Sequence, residues 1–102
     1  MKIIKVQRNK IYTVKIIGEF TLYDIHDFEN EVKPLITKKD INTIIMDFRE
    51  LITIDSTGIG QLISLQRKLK EMGKELVLIN MNEKIKKLFA LLKLQEVFNI
   101  NK

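Results

Sequence analysis

The run Thr53-Ile54-Asp55-Ser56-Thr57-Gly58-Ile59-Gly60-Gln61-Leu62 sets small polar side chains and two glycines into an otherwise apolar stretch, just ahead of a helical pattern. Two kinds of chemistry fit it. In the first, Asp55 or Ser56 accepts a hydrogen bond from an orphan N–H of the helix's first turn, a cap worth about 1 kcal/mol. Gly58 and Gly60 then let the turn pack closely on whatever lies beneath. In the second, the Ser56 hydroxyl receives a phosphate. A helix N-terminus has free N–H groups and a partial positive charge, so it tolerates an added anion. A phosphoserine brings a charge of about −1.5 to −2. Asp55 beside it would repel it, so the effect belongs at the surface, where charge and bulk block a partner.

Enzymatic readings lack their partners. Ser56 has no base in its neighbourhood, since the only histidine, His26, lies on an earlier helical pattern. A nucleophile elbow needs G-x-S-x-G, and Ile54 stands two residues before Ser56. Gly58-Ile59-Gly60 lacks the third glycine of a dinucleotide fingerprint, and there is no Gly-Lys-Ser/Thr phosphate loop. The Asp24, Asp27, Glu29 and Glu31 cluster reads as a solvated helix face rather than a metal site. The expectation is a non-enzyme with no cofactor and no metal.

The elements that must position Ser56 follow from periodicity. Residues 3–6 (IIKV) and 11–17 (IYTVKII) are β-rich, with QRNK as the turn between them and Gly18 ending the second run. From 22 to 37, Leu22, Ile25, Phe28, Val32, Leu35 and Ile36 make a helical stripe, with Pro34 late inside it. Residues 43–48 (TIIMDF) read as a buried strand, and the RELITI segment as a connecting loop to Asp55. The next helix runs from about Ser56 or Thr57 to Met72, its inner face marked by Ile59, Leu62, Ile63, Gln66, Leu69 and Met72. Gly73 suits its C-terminus. Residues 75–80 (ELVLIN) form another strand. Asn82 caps a helix carrying Ile85, Leu88, Phe89 and Leu92, and a last strand covers 97–100.

The order β-β-α-β-α-β-α-β implies one α/β domain over 1–102, with a mixed, mainly parallel sheet of about five strands and three helices. Functional groups collect outside the carboxyl ends of such strands. The 18–21 turn and the 49–57 loop both leave carboxyl ends, and they converge if their strands are neighbours.

Composition narrows the class. At 102 residues the chain suits one domain with a core of its own. Cysteine is absent, so no disulfide or thiolate chemistry operates. No apolar run reaches the roughly 18 residues of a membrane span, and the start has no signal-peptide core; the expected setting is cytoplasmic. Net charge is +5, from 18 basic against 13 acidic residues. Lys68, Lys70, Lys74, Lys84, Lys86 and Lys87 interleave with Glu71, Glu75 and Glu83, as on solvated faces. Direct nucleic-acid binding, which favours Arg and stacking aromatics, is not expected; steep salt dependence would reveal it.

The run from Ile44 through Asp47, Asp55-Ser56-Thr57-Gly58 and Leu62, then Gly73 to Asn80, then Lys84 to Phe89, resembles the STAS domain, and within it bacterial anti-sigma factor antagonists. The resemblance spans nearly the whole chain. It implies that Ser56 is phosphorylated by an anti-sigma factor with serine kinase activity, that the unmodified form binds this partner and frees a sigma factor, and that a PP2C-type phosphatase resets the switch. Asp55 matches the neighbour that orients the hydroxyl or meets the kinase. Thr57, Gly58 and Gln61, with Glu19, Phe20 and Thr21 of the Gly18–Thr21 loop, match the docking surface. An alternative is a non-switching STAS module of a larger signalling assembly, with Ser56 only a helix cap. The chain has Thr21 where the family often has Asp. It stops at Lys102, where the family usually adds a helix.

Overall fold

Alternating apolar residues build a hairpin first. In the computed structural model, which describes residues 1–101, strand β1 (Lys2–Arg8) pairs antiparallel with β2 (Ile11–Phe20). Asn9, at φ 55°, makes the turn, so the expected four-residue turn shrinks to two residues. The expected 1–102 unit is described except for Lys102, which lies outside the described residues.

The chain then winds steadily in one direction: α1 (Ile25–Ile36), β3 (Thr43–Asp47), β4 (Leu51–Ile54), α2 (Ser56–Glu71), β5 (Glu75–Ile79), α3 (Glu83–Leu91) and β6 (Asn99–Asn101). The sheet order is β1-β2-β3-β5-β6, with β4 also paired to β2, and every pairing after the hairpin is parallel. Right-handed crossovers that all step the same way place all three helices on one face. Val14, Ile16, Ile44, Met46, Leu76 and Leu78 point into that helical layer and meet Phe28, Leu62, Leu69, Ile85 and Phe89 in one core.

Several expectations are corrected. The sheet has six strands rather than about five, because RELITI is not only a connection. After β3, Phe48 donates to the Ile79 carbonyl and Leu51 to the Phe48 carbonyl, which offsets the chain by a tight turn. Leu51–Ile54 then resumes pairing farther along β2. Four residues are too few for alternation to show. Gly18 does not end β2. With φ 99° it takes a backbone shape few other residues adopt, and its N–H reaches the Glu50 carbonyl at 2.9 Å. It marks the irregularity where β2 changes partner from β3 to β4.

The helices shift as well. Leu22–Asp24 is a 3-10 turn ahead of α1, and Leu22 leaves the predicted stripe, 60% exposed. Pro34 sits inside α1, which ends two residues later. On α2, Leu65 takes the inward place expected of Gln66, and Met72, at the helix end, is half exposed. Leu92 of the last helical stripe is likewise largely exposed. A second 3-10 turn, Leu94–Glu96, delays the final strand to Asn99. Lys74, read as a solvated lysine, instead donates to the carbonyls of Leu35 at 3.1 Å and Lys38 at 2.5 Å and closes the end of α1.

Candidate functional site

β2 and β4 are neighbours, so the loops leaving their carboxyl ends converge as expected. Asp55 joins them. Its backbone N–H donates to the Phe20 carbonyl at 3.1 Å. One carboxylate oxygen, Oδ1, accepts from Gly58 N–H at 2.8 Å. The other, Oδ2, accepts from Leu22 N–H at 3.0 Å, across 33 residues of sequence. Asp55 is therefore the N-cap of α2 and also a clamp on the β2–α1 loop.

Ser56 is the first helical residue, and it is exposed. The cap consumes the Gly58 N–H, while helix geometry gives the Ser56 and Thr57 N–H groups no acceptor within the helix. The hydroxyl thus sits at the positive end of a 16-residue helix with the capping duty already discharged by its neighbour. The reading in which Ser56 serves only as the cap is corrected: the cap is Asp55.

Gly58 is buried under this turn. A Cβ there would lie 2.7 Å from the Phe20 carbonyl oxygen and 2.8 Å from Ile54 Cγ1. The close approach expected of the two glycines holds for Gly58 alone. A Cβ at Gly60 meets nothing within 4 Å. Gly60 follows Ser56 by four residues and so shares its face, about 40° around the helix.

The other candidate residues divide by burial. Phe20 is fully buried, its ring 4.5 Å from that of Phe28. Phe20 and Gly58 hold the site from beneath and offer no side-chain surface to a partner. Glu19 is exposed and Thr57 half-buried. Gln61 lies five residues beyond Ser56, about 140° around the helix. It lines a groove between α1 and α2 with Phe28, Val32 and Ser64 rather than the face of Ser56.

Thr21 has its own task. Its N–H donates to Asp24 Oδ2 at 2.9 Å and its hydroxyl to the same oxygen at 3.1 Å, while Tyr23 N–H donates back to that hydroxyl at 3.3 Å. Partial burial of Asp24 disfavours its charge. The Thr21 N–H, the Met1 ammonium 3.3 Å away and the Thr21 hydroxyl outweigh that and hold the carboxyl below the usual carboxylate range. The acidic cluster expected on the α1 face disperses: Asp24 serves this turn, and Glu31 pairs with Lys5. His26 is exposed, with Nε2 3.2 Å from Asn30 Nδ2.

Two residues of the site escaped the sequence reading. Tyr23 is 91% exposed, and Leu22 projects beside it from the loop that Asp55 clamps. Their signal was apolar residues directly after the β2 turn. Periodicity assigned Leu22 inward because a 3-10 turn rotates about 120° per residue rather than 100°.

Comparison with known proteins places this geometry in context. The STAS domain model matches residues 2–102. An anti-sigma-B factor antagonist of Staphylococcus aureus (strain NCTC 8325) is 26% identical over 94 residues, covering 92% of this chain and 86% of the relative. A candidate anti-sigma factor antagonist of Thermotoga maritima superposes with a TM-score of 0.90 at 19% identity, over 98% of this chain and 86% of that one. The Bacillus cell fate determinant SpoIIAA, in its phosphorylated form, gives a TM-score of 0.76 at 19% identity, over 99% and 92% of the two chains. The last two share the fold. Among the described residues, no helix is long and apolar enough to cross a membrane.

Proposed function

The chain belongs to the STAS domain family, and from that premise we propose that it is an anti-sigma factor antagonist switched by phosphorylation of Ser56. Unmodified, it binds an anti-sigma factor that is also a serine kinase, and so releases a sigma factor. The kinase transfers the γ-phosphoryl group of ATP to Ser56 Oγ: the new O–P bond forms, the bond to ADP breaks, and the hydroxyl proton leaves to a base of the kinase. A PP2C-type phosphatase hydrolyses the phosphoserine and resets the module.

The observation that carries this reading is the division of labour between Asp55 and Ser56. Asp55 holds both the α2 cap and the β2–α1 loop, which leaves the exposed Ser56 hydroxyl available for modification. A dianion added there leaves those two bonds and the core beneath Gly58 in place. It changes the charge and shape of the surface formed by Ser56, Gly60, Glu19, Leu22 and Tyr23, which is where the partner docks.

Incubating the protein with its kinase and ATP tests the reading. One phosphate per chain is expected, absent from Ser56→Ala, and Ser56→Asp should weaken kinase binding by tenfold or more while leaving thermal stability unchanged. Phosphate on another residue, or full-strength binding by Ser56→Asp, refutes it.

A further inference from the structure

The helices leave one face of the sheet bare, and we propose that this face is a self-complementary surface on which a second copy of the chain packs. Along β2, Val14 and Ile16 enter the core, so Ile11, Thr13, Lys15 and Ile17 point the other way. The same alternation turns Ile4, Val6 and Arg8 of β1 outward, with Ile45 of β3 and Glu75, Val77 and Ile79 of β5. None of these outward side chains belongs to the core cluster; Ile4 and Val6 are 42% and 51% exposed, Ile17, Ile45 and Ile79 half-buried, and Val77 buried at 8% exposure.

The charges on this face are segregated. The β1–β2 half carries Lys2, Arg8 and Lys15, the last already paired with Glu50 of the same chain; the β3–β5 half carries Asp47 and Glu75, which accept from the neutral Asn80 and Asn99 side chains, so Arg8 against Glu75 is the charge pair that a second copy completes. The pairing registers align them in rows across the strands. One row runs Arg8, Ile11, Thr43, Glu75; the next runs Val6, Thr13, Ile45, Val77; the third runs Ile4, Lys15, Asp47, Ile79. Each row is therefore complementary to its own reversal.

A two-fold axis parallel to the strands, between β2 and β3, performs that reversal. It lays β1 of one copy over β5 of the other and β2 over β3, with each row kept in line. Arg8 then faces Glu75, Lys15 faces Asp47, Val6 faces Val77 and Ile4 faces Ile79, each contact occurring twice. Aligned sheets pack in this way at a spacing of about 10 Å. Four strands about 4.8 Å apart, sharing the five-residue length of β3 and β5, give a face of roughly 300 Å² in projection. Two copies bury roughly 800 Å² of accessible surface, the size of a transient encounter, so the dimer is a weak one. The surface lies on the side of the sheet away from α2, so a dimer leaves Ser56 open. The inference stands apart from the phosphorylation reading.

Sedimentation equilibrium of the whole chain from about 10 to 500 μM tests it, a range spanning weak association. The wild type should dimerise. Arg8→Glu and Glu75→Arg should each weaken association by tenfold or more, because each places like charges face to face twice. The double swap should restore most of it. Within one chain these two residues are three strand spacings apart, about 14 Å, beyond a Debye length in ordinary buffer, so recovery reports contact between copies. Val6→Lys, at a half-exposed site that tolerates charge, should give a folded monomer by circular dichroism. A wild type that stays monomeric throughout, single swaps without effect, or a double swap that fails to recover would each overturn the proposal.

Discussion

Alanine at Gly58 and alanine at Gly60 should move stability in opposite directions, although the two positions lie one residue apart on the same helix. In either case replacing glycine removes backbone freedom from the unfolded chain and favours the helix by about 0.5–1 kcal/mol. At Gly60 nothing lies within 4 Å of the new methyl, so that gain stands. At Gly58 the methyl would sit 2.7 Å from the Phe20 carbonyl oxygen, 2.8 Å from Ile54 Cγ1 and 3.2 Å from Phe20 Cγ. Two of those atoms belong to Phe20, which is locked by its bond from Asp55 and by tilted ring packing against Phe28. Neither can retreat without moving β2 or the core. Overpacking of this kind costs about 1–3 kcal/mol, enough to reverse the propensity gain. The propensity gain is common to both, so the two variants should differ by the overpacking cost, about 1–3 kcal/mol. For a domain of this size each kcal/mol corresponds to about 4–8 °C in Tm. Thermal and urea unfolding followed by circular dichroism read the difference directly. If Gly58→Ala is as stable as Gly60→Ala, α2 does not press on β2 as described, and the rigid support under Ser56 is lost with it.

Three further outcomes follow from the same geometry. Asp55→Ala removes a helix cap and the clamp on Leu22 and should cost about 1–2 kcal/mol in urea unfolding, whereas Ser56→Ala should stay within about 0.5 kcal/mol; equal losses would return the capping role to Ser56. Asp24 has a folded pKa below its unfolded value of about 3.9, so the stability it lends is present above that value and is lost as pH falls through the folded one. Urea midpoints of wild type and Asp24→Asn should thus differ at neutral pH and converge as the pH falls through the folded pKa, and a gap that widens on acidification contradicts this. Lys74→Met keeps the alkyl stem but withdraws the bonds to the Leu35 carbonyl in the last turn of α1 and to the Lys38 carbonyl just beyond it, and should lower stability by about 1–2 kcal/mol, with hydrogen exchange rising first at residues 35–38.

The strands and helices with full periods were legible in the sequence. Residues 43–48 and 75–80 announce buried strands by unbroken β-branched and aliphatic runs, and Ile59, Leu62 and Leu69 announce the inner face of α2. What was not legible depends on contacts distant in the chain. Leu51–Ile54 is a strand because β2 offers it an edge past the Gly18 irregularity, and nothing local to RELITI encodes that. Leu22 breaks its apparent stripe because a 3-10 turn precedes the helix. By sequence Ser56 and Asp55 are equal candidates for the cap; the Gly58 N–H bond to Asp55 Oδ1 gives it to Asp55, and Leu22 N–H, 33 residues earlier, recruits the other oxygen of the same carboxylate.

That recruitment bears on why a modification site would be built from adjacent Asp and Ser rather than from Ser alone. Were the serine the cap, esterifying its oxygen would weaken the bond that starts the helix, and folding and recognition would change together. With Asp55 as cap and clamp, the anchoring bonds belong to a side chain that the phosphate does not touch covalently. Phe20, Ile54 and Gly58 close the space below, so the turn cannot yield inward. A charge added to Ser56 Oγ is then felt mainly outward, by whatever lies against Gly60, Leu22 and Tyr23. Tyr23→Ala separates this from a diffuse electrostatic effect. At 91% exposure the ring supports little of the fold, so its removal should leave Tm within about 2 °C. It should weaken binding of the unmodified protein to the kinase proposed as its partner by about tenfold, as loss of an aromatic anchor does. Unchanged binding would mean that the partner reads charge at Ser56 without touching the loop that Asp55 holds.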